Sequence, residues 1–290
     1  MFLQLIISGL SYGSLYALIA LAMVIIYKTS EVPNFGQGEM GMISTFVAYM
    51  LLVSYEHSFA LSFLGALFFA AALGAFLEFV FLRRAKEPNI LSLILITLGF
   101  QMMLYGVASW KWGAEQRDLP FPVSDFDTVS LGPAVLSYLN AATLLITLIL
   151  MFLLFLFFRY TKVGIAMKAT QQNAMAARIN GIRTNRILSI TWGMSSVIGA
   201  VAGMLLAPIA TLDPSLMLDP LLKGFASAVL GGMTTLVGAA LGGYMLGIIE
   251  NLFGGYVSLE FKSVVAFGII VLVLCFRPSG LFARHYVRKV

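Results

Sequence analysis

Long apolar runs alternate with short polar breaks along this chain. A helix that crosses a bilayer needs about 20 apolar residues. Residues 3–27, 59–82, 90–110, 134–158 and 187–212 meet that length and predict spanning helices, and residues 263–276 predict a shorter last one. Two further stretches are interrupted. The first is the polar break 28–39, reading KTSEVPNFGQGE, followed by an apolar segment of only 16 residues, 40–55. The second is 221–253, two short apolar pieces separated near Gly231-Gly232 and Thr234-Thr235, with Lys223 at its start and Glu250 near its end. Asp213-Pro214 and Asp219-Pro220 predict a turn before it. If both short pieces cross, the chain makes nine crossings; a re-entrant piece lowers the count. The expected architecture is all-α: one polytopic transmembrane domain over residues 1–290, with about eight to nine transmembrane helices, some interrupted or re-entrant.

Composition agrees with the pattern. Hydrophobic residues make up 60% of the chain and charged residues 11%, with mean hydropathy +0.95; soluble domains carry about 25% charge. A soluble globule would have too little polar surface to face water. This excludes a soluble enzyme, a DNA-binding module and a secreted scaffold. The lone Cys275 allows neither an intrachain disulfide nor a cysteine zinc site, and His57 and His285 are far apart. No metal or cofactor is expected.

Charge orients the spans. Thirteen of the 18 Lys and Arg fall in three patches. These are Arg83, Arg84 and Lys86; Arg159, Lys162, Lys168, Arg178, Arg183 and Arg186; and Arg277, Arg284, Arg288 and Lys289. Glu87 is the one acid among them, whereas the loop after residue 110 carries Glu115, Asp118, Asp125 and Asp127. The positive-inside rule puts the basic patches in the cytoplasm and the acidic loop outside. Each basic patch flanks an apolar span, which argues against a nucleic-acid partner. The first span lacks the basic leader of a signal peptide and is expected to be retained, with the N-terminus outside.

The candidate chemistry is that of passage, not of bond making. The chain has no Ser–His–Asp set in a plausible context, no HExxH and no Walker A loop, so it is expected to be a non-enzyme that draws energy from a partner or an ion gradient. Polar groups at membrane depth are expensive and face a cavity or a partner. Non-helical backbone is tolerated there only where it is buried or lines a cavity. Paired interruptions in the two halves therefore point to a solute path. The candidates are Asn34, Gln37 and Glu39 at the first, and Lys223, Thr234 and Thr235 at the second. The competing reading has Glu39 and Lys223 snorkelling to the interfaces. Glu78, about a turn before Arg83, reads as interfacial or ion-paired; Glu250-Asn251 fits either a helix interface or the path. Gly9/Gly13, Gly199/Gly203, Gly238/Gly242 and Gly243/Gly247 are spaced for close helix packing.

The acid-free segment 161–186, TKVGIAMKATQQNAMAARINGIRTNR, contains MAARING. This resembles the EAA-x3-G element with which permeases of ABC importers dock onto their ATPases, with Met175 in place of the Glu, then Ala176, Ala177 and Gly181. Small alanines let a short cytoplasmic coupling helix seat in a groove, and Gly181 permits a turn with positive φ. The other reading of the segment is a basic amphipathic loop on the lipid surface. Collinear blocks extend the likeness over nearly the whole chain: GLSYGSLYALIALAMVIIYKTSEVPNFGQGEMGMISTFVAY, ILITLGFQ, VLGGMTTLVGAALGGYMLGIIE and FRPSGLFA. Together they resemble LivH-like permease subunits of branched-chain amino acid ABC importers. The resemblance implies a multi-pass subunit of the bacterial inner membrane. It also implies a second homologous permease, two ATP-binding subunits and a periplasmic solute-binding protein as partners. Its expected solutes are Leu, Ile and Val, or urea, amides or aromatic acids as in related systems. An ion-coupled secondary transporter using Glu39, Glu78 or Glu250, and a scaffold without transport, are the alternatives.

Overall fold

The computed structural model describes residues 1–85, 89–123, 127–131, 134–277 and 279–282. Lys86, Glu87, Asp125, Arg284, Arg288 and Lys289, used above to assign sidedness, lie outside the described residues. The chain forms two compact units.

The first unit comprises residues 1–24, 123–145 and 219–290. Its helices are the opening part of α1 (Phe2–Ser30), α9 (Leu218–Gly231), α10 (Leu236–Tyr256) and α11 (Lys262–Phe276). Glycines set the spacing of α1 against α10. Gly9 and Gly13 face the backbone of residues 243–248, and Gly243 lies against Ala17. The expected fifth span, 134–158, is corrected at its start. Thr128–Leu131 and Ala134–Ser137 pair as an antiparallel hairpin, and α5 (Tyr138–Tyr160) begins only after it. The first strand, TVSL, alternates polar and apolar residues as strands do. Gln4 clamps the hairpin, donating to the Val135 carbonyl at 2.9 Å and accepting from its N–H at 2.7 Å. The expected turn at Asp219-Pro220 is instead the first turn of α9; proline lacks only an N–H that is unsatisfied there anyway.

The second unit comprises residues 25–122 and 146–218. Where α1 ends, Thr29 and Ser30 donate back to the Ile26 carbonyl at 2.9 Å, and Glu31 turns the chain with φ 58°. Next come α2 (Gln37–Tyr49), α3 (Phe59–Leu77), α4 (Ile90–Trp112), the short α6 (Lys162–Gln172) and α7 (Ala174–Ile179), and α8 (Thr184–Ala210). Wide five-residue turns extend α2 and α3: Tyr55 N–H reaches the Met50 carbonyl at 3.1 Å and Arg83 N–H the Glu78 carbonyl at 2.9 Å. Helices α2, α3 and α8 form the core of this unit around Ala48, Ala66, Ala70, Ala200 and Met204. A β-carbon at Gly41 would meet the Gly199 carbonyl oxygen at 2.6 Å, so these helices touch through small residues.

Large apolar side chains on α3, α4 and α5 point away from the protein. Phe68 is 78% exposed, Met102 79% and Phe152 61%. Six helices are long and apolar enough to cross a membrane among the described residues. Apolar faces of this extent suit a lipid solvent, not water.

Candidate functional site

The first interruption is a knot of short-range hydrogen bonds. Asn34 Oδ1 accepts from Gly36 N–H at 3.1 Å, and its carbonyl receives Gln37 N–H at 3.3 Å, which starts α2 three residues before the apolar run. Asn34 Nδ2 donates to Gln37 Oε1 at 3.2 Å. Gln37 then ties the break to α8: its Nε2 donates to the Ser195 carbonyl at 3.0 Å, and its Oε1 accepts from Ser195 Oγ at 2.8 Å. Asn34, Gln37 and Glu39 are all buried. The polar atoms of Asn34 and Gln37 are thus engaged by the protein itself, and the Glu39 carboxyl meets the side chain of Gln101.

At the second interruption, Gly232 with φ 102° ends α9, and Thr235 N–H closes the turn onto the Gly232 carbonyl at 3.1 Å. Thr234 is exposed and Thr235 half-buried. Lys223 sits two turns earlier in α9, almost fully buried. Its Nζ lies 2.7 Å from Asp219 Oδ2 and 2.6 Å from Glu250 Oε1 of α10. Thr234 and Thr235 therefore belong to the turn, and Lys223 to a separate charged cluster.

The segment 161–186 folds as two short capped helices. Thr161 Oγ1 accepts from Gly164 N–H at 2.9 Å to start α6, and Asn173 Oδ1 accepts from Ala176 N–H at 2.9 Å to start α7. Gly181 N–H bonds to the Arg178 carbonyl and Ile182 N–H to the Ala177 carbonyl, both at 3.0 Å, with Gly181 at φ 82°. This is the helix stop that glycine favours. Ala177 packs inward, while Met175, Ala176 and Ile179 project outward from α7. Beside them lies an open cleft of about 630 Å³ lined by Arg83, Arg178, Gly181, Arg183, Thr184 and Arg186.

Two arrangements go beyond the sequence reading, although Glu78 reads there as interfacial or ion-paired. Arg83 grips Glu78 with two bonds, at 3.2 and 2.8 Å, and donates to the Asn185 carbonyl at 2.8 Å and to Ser189 Oγ at 2.7 Å. This pins the end of α3 to the start of α8. The other is the partnership of Lys223 with Asp219 and Glu250. A larger groove of about 900 Å³, walled by Ala71, Leu153, Phe157, Met194 and Val197, is almost wholly apolar and offers no charge to a polar solute.

Residues 5–274 match the family described as branched-chain amino acid transport system / permease component. The chain belongs to that family. Among its relatives, the high-affinity branched-chain amino acid transport system permease protein LivH of Salmonella typhimurium is 31% identical, over 100% of this chain and 98% of its own length. The corresponding protein BraD of Pseudomonas aeruginosa is 29% identical with the same coverage. A solved structure, PsaBC from Streptococcus pneumoniae in complex with Fab, superposes with a TM-score of 0.50 at 14% identity, covering 94% of this chain and 91% of that one. It supports the helical permease fold alone. Membership of this permease family, with the apolar helices above, makes the chain a multi-pass membrane protein and a subunit of a transporter.

Proposed function

We propose that this chain is the permease subunit of an ABC importer, forming half of the route by which branched-chain amino acids cross the bacterial inner membrane. The observation that carries this reading is likeness over the whole chain to permeases of branched-chain amino acid transport. In this reading residues 1–290 act as one permease domain with eight or nine membrane-embedded helices, the short α2 and α9 among them. Its partners are a second homologous permease, two ATP-binding subunits and a periplasmic solute-binding protein. The subunit performs no bond chemistry; ATP is hydrolysed by its partners.

Energy enters through 161–186. The outward face of α7 (Met175, Ala176) docks on an ATPase, while Ala177 and Gly181 fix the angle of that helix to the start of α8. Closure of the ATPases moves this rigid segment and rocks the attached helices between inward and outward openings. The two interruptions contribute the path. Asn34 and Gln37 hold the first break against α8, with Glu39 beside it as a path residue; Thr234 and Thr235 serve at the second, and Lys223 on α9 two turns before it. The test is purification of the tagged chain from native membranes followed by mass spectrometry. Recovery with two ATP-binding proteins and a second permease is expected. Recovery without any ATP-binding protein would overturn the reading in favour of an ion-coupled carrier.

A further inference from the structure

We propose that Asp219, Lys223 and Glu250 form the subsite that takes the charged head of a free α-amino acid, the ammonium on the two carboxylates and the carboxylate on the Lys223 ammonium. This rests on the reading of the chain as an amino acid permease and names the part of it that recognises the zwitterion.

Helix lengths place the cluster within the membrane. Helix α9 has 14 residues and so rises about 21 Å, short of the roughly 30 Å of bilayer hydrocarbon. Its end is fixed at the level of the residues that follow α11: Leu281 N–H bonds to the Leu230 carbonyl at 2.8 Å and Phe282 N–H to the Gly231 carbonyl at 3.3 Å. That level adjoins Arg277, on the inward side. On this orientation the first turn of α9 stops short of the outer surface, with the Asp219 side chain at its exposed end.

Exposure grades along the three charges. The Asp219 side chain is 59% exposed, Lys223 7% and Glu250 0%. Asp219 and Lys223 are one turn apart on the same helix face, and Lys223 bridges to Glu250. A solute arriving from outside meets Asp219 first and Glu250 last. The Glu250 carboxylate is fully buried, and Tyr16 hydrogen-bonds to it beside Lys223. Lys262 stands further along, donating to Asn251 Oδ1 at 3.4 Å and lying 5.0 Å from the centre of the Tyr12 ring.

Stability alone does not account for this cluster. A buried ion pair generally adds little over well-packed apolar residues, because both charges must be desolvated. Two carboxylates around one ammonium also leave one carboxylate without a counter-charge of its own, and the ammonium of a zwitterion can pair with it. When a zwitterion enters, Lys223 releases Asp219 and Glu250 to the solute ammonium and takes the solute carboxylate in their place. Total charge at the cluster is unchanged, and the internal pairs compete with the solute for the same atoms. Such a site holds its cargo weakly and releases it readily, as a relay between a binding protein and the cytoplasm requires.

The test uses the whole importer, with its permease pair, ATPases and binding protein, reconstituted in vesicles and assayed for ATP-driven leucine uptake. In Asp219→Asn, at the exposed mouth, the apparent KM for loaded binding protein should rise about tenfold, as for loss of one charged hydrogen bond, with co-purification of the complex unchanged. In the double variant Lys223→Gln/Glu250→Gln, which removes the pair without orphaning a charge, uptake per assembled complex should fall at least tenfold. Normal KM and uptake in Asp219→Asn would overturn the proposal even if the double variant failed to assemble. So would normal uptake in the double variant, and the wider reading would then stand. Failure of the wild-type complex to take up any branched-chain amino acid would instead overturn both.

Discussion

Gly247→Ala adds a single methyl group to α10, and the structure has no room for it. A β-carbon there would lie 2.5 Å from both the Cα and the N of Gly13 on α1. Comfortable carbon contacts begin near 3.5 Å, so the two helices must part by about 1 Å or more. Overpacking of this kind costs about 1–3 kcal/mol. Gly106 on α4 supplies the control, since a β-carbon there meets nothing within 4 Å. Alanine at such a helical site is favoured by about 0.5–1 kcal/mol over glycine. Both sites are helical and share that gain, so the two variants should differ by the overpacking alone, about 1–3 kcal/mol. Thermal unfolding in detergent, followed by size-exclusion chromatography, reads the difference as a lower midpoint for Gly247→Ala and an equal or higher one for Gly106→Ala. Gly243→Ala, one turn away and 2.5 Å from Ala17 Cα, should behave like Gly247→Ala; the two costs should not add fully, because one helix separation relieves both. Equal midpoints for Gly247→Ala and Gly106→Ala would refute close packing of α1 on α10.

Gly181→Val, which places a β-branched residue at φ 82°, introduces strain of about 1–2 kcal/mol. With Ala177→Trp it should yield an inserted subunit that recovers little ATPase on co-purification; normal recovery and uptake by both would remove 161–186 as the coupling element. A cysteine placed at Lys168 in a Cys275→Ser background should react with an impermeant thiol reagent in inside-out vesicles only. Reaction in right-side-out vesicles would invert the topology. Gln37→Leu removes both bonds to Ser195, worth about 0.5–1.5 kcal/mol each, and should lower the unfolding midpoint; a midpoint equal to wild type would show that the break is held by other contacts. Arg83→Ala leaves the buried Glu78 carboxylate without its two-pronged partner and should cost about 1–3 kcal/mol. The exposed neighbour Arg84→Ala is the comparison in the same assay, and equal losses would refute the special role of Arg83.

The long helices were legible because bilayer-length apolar runs carry their own signal. The break at residues 28–39 was legible too, through Pro33 and its glycines, as was the helix stop at Gly181. What could not be read were pairings between distant residues. Lys223 and Glu250 are 27 positions apart on different helices, and no local periodicity links them. Glu78 was legible as interfacial or ion-paired, but its grip on Arg83 was not: they are five apart, a spacing that does not pair side chains on an ordinary α-helix and does so here because the turn widens. Asn34 and Gln37 were recognisable as unusual polar residues at depth, but composition does not reveal that Ser195 engages Gln37. The strand at 134–137 reads as the start of the fifth span because its sequence, AVLS, is as apolar as the helix that follows.

The most direct measurement of the central claim is leucine accumulation in vesicles holding the complete importer, with ATP inside the compartment that carries the ATPases. Uptake should require ATP and loaded binding protein together, persist when proton and sodium gradients are collapsed, and vanish when this chain is omitted. Uptake driven by an imposed ion gradient without ATP, or undiminished in the absence of this chain, would contradict it.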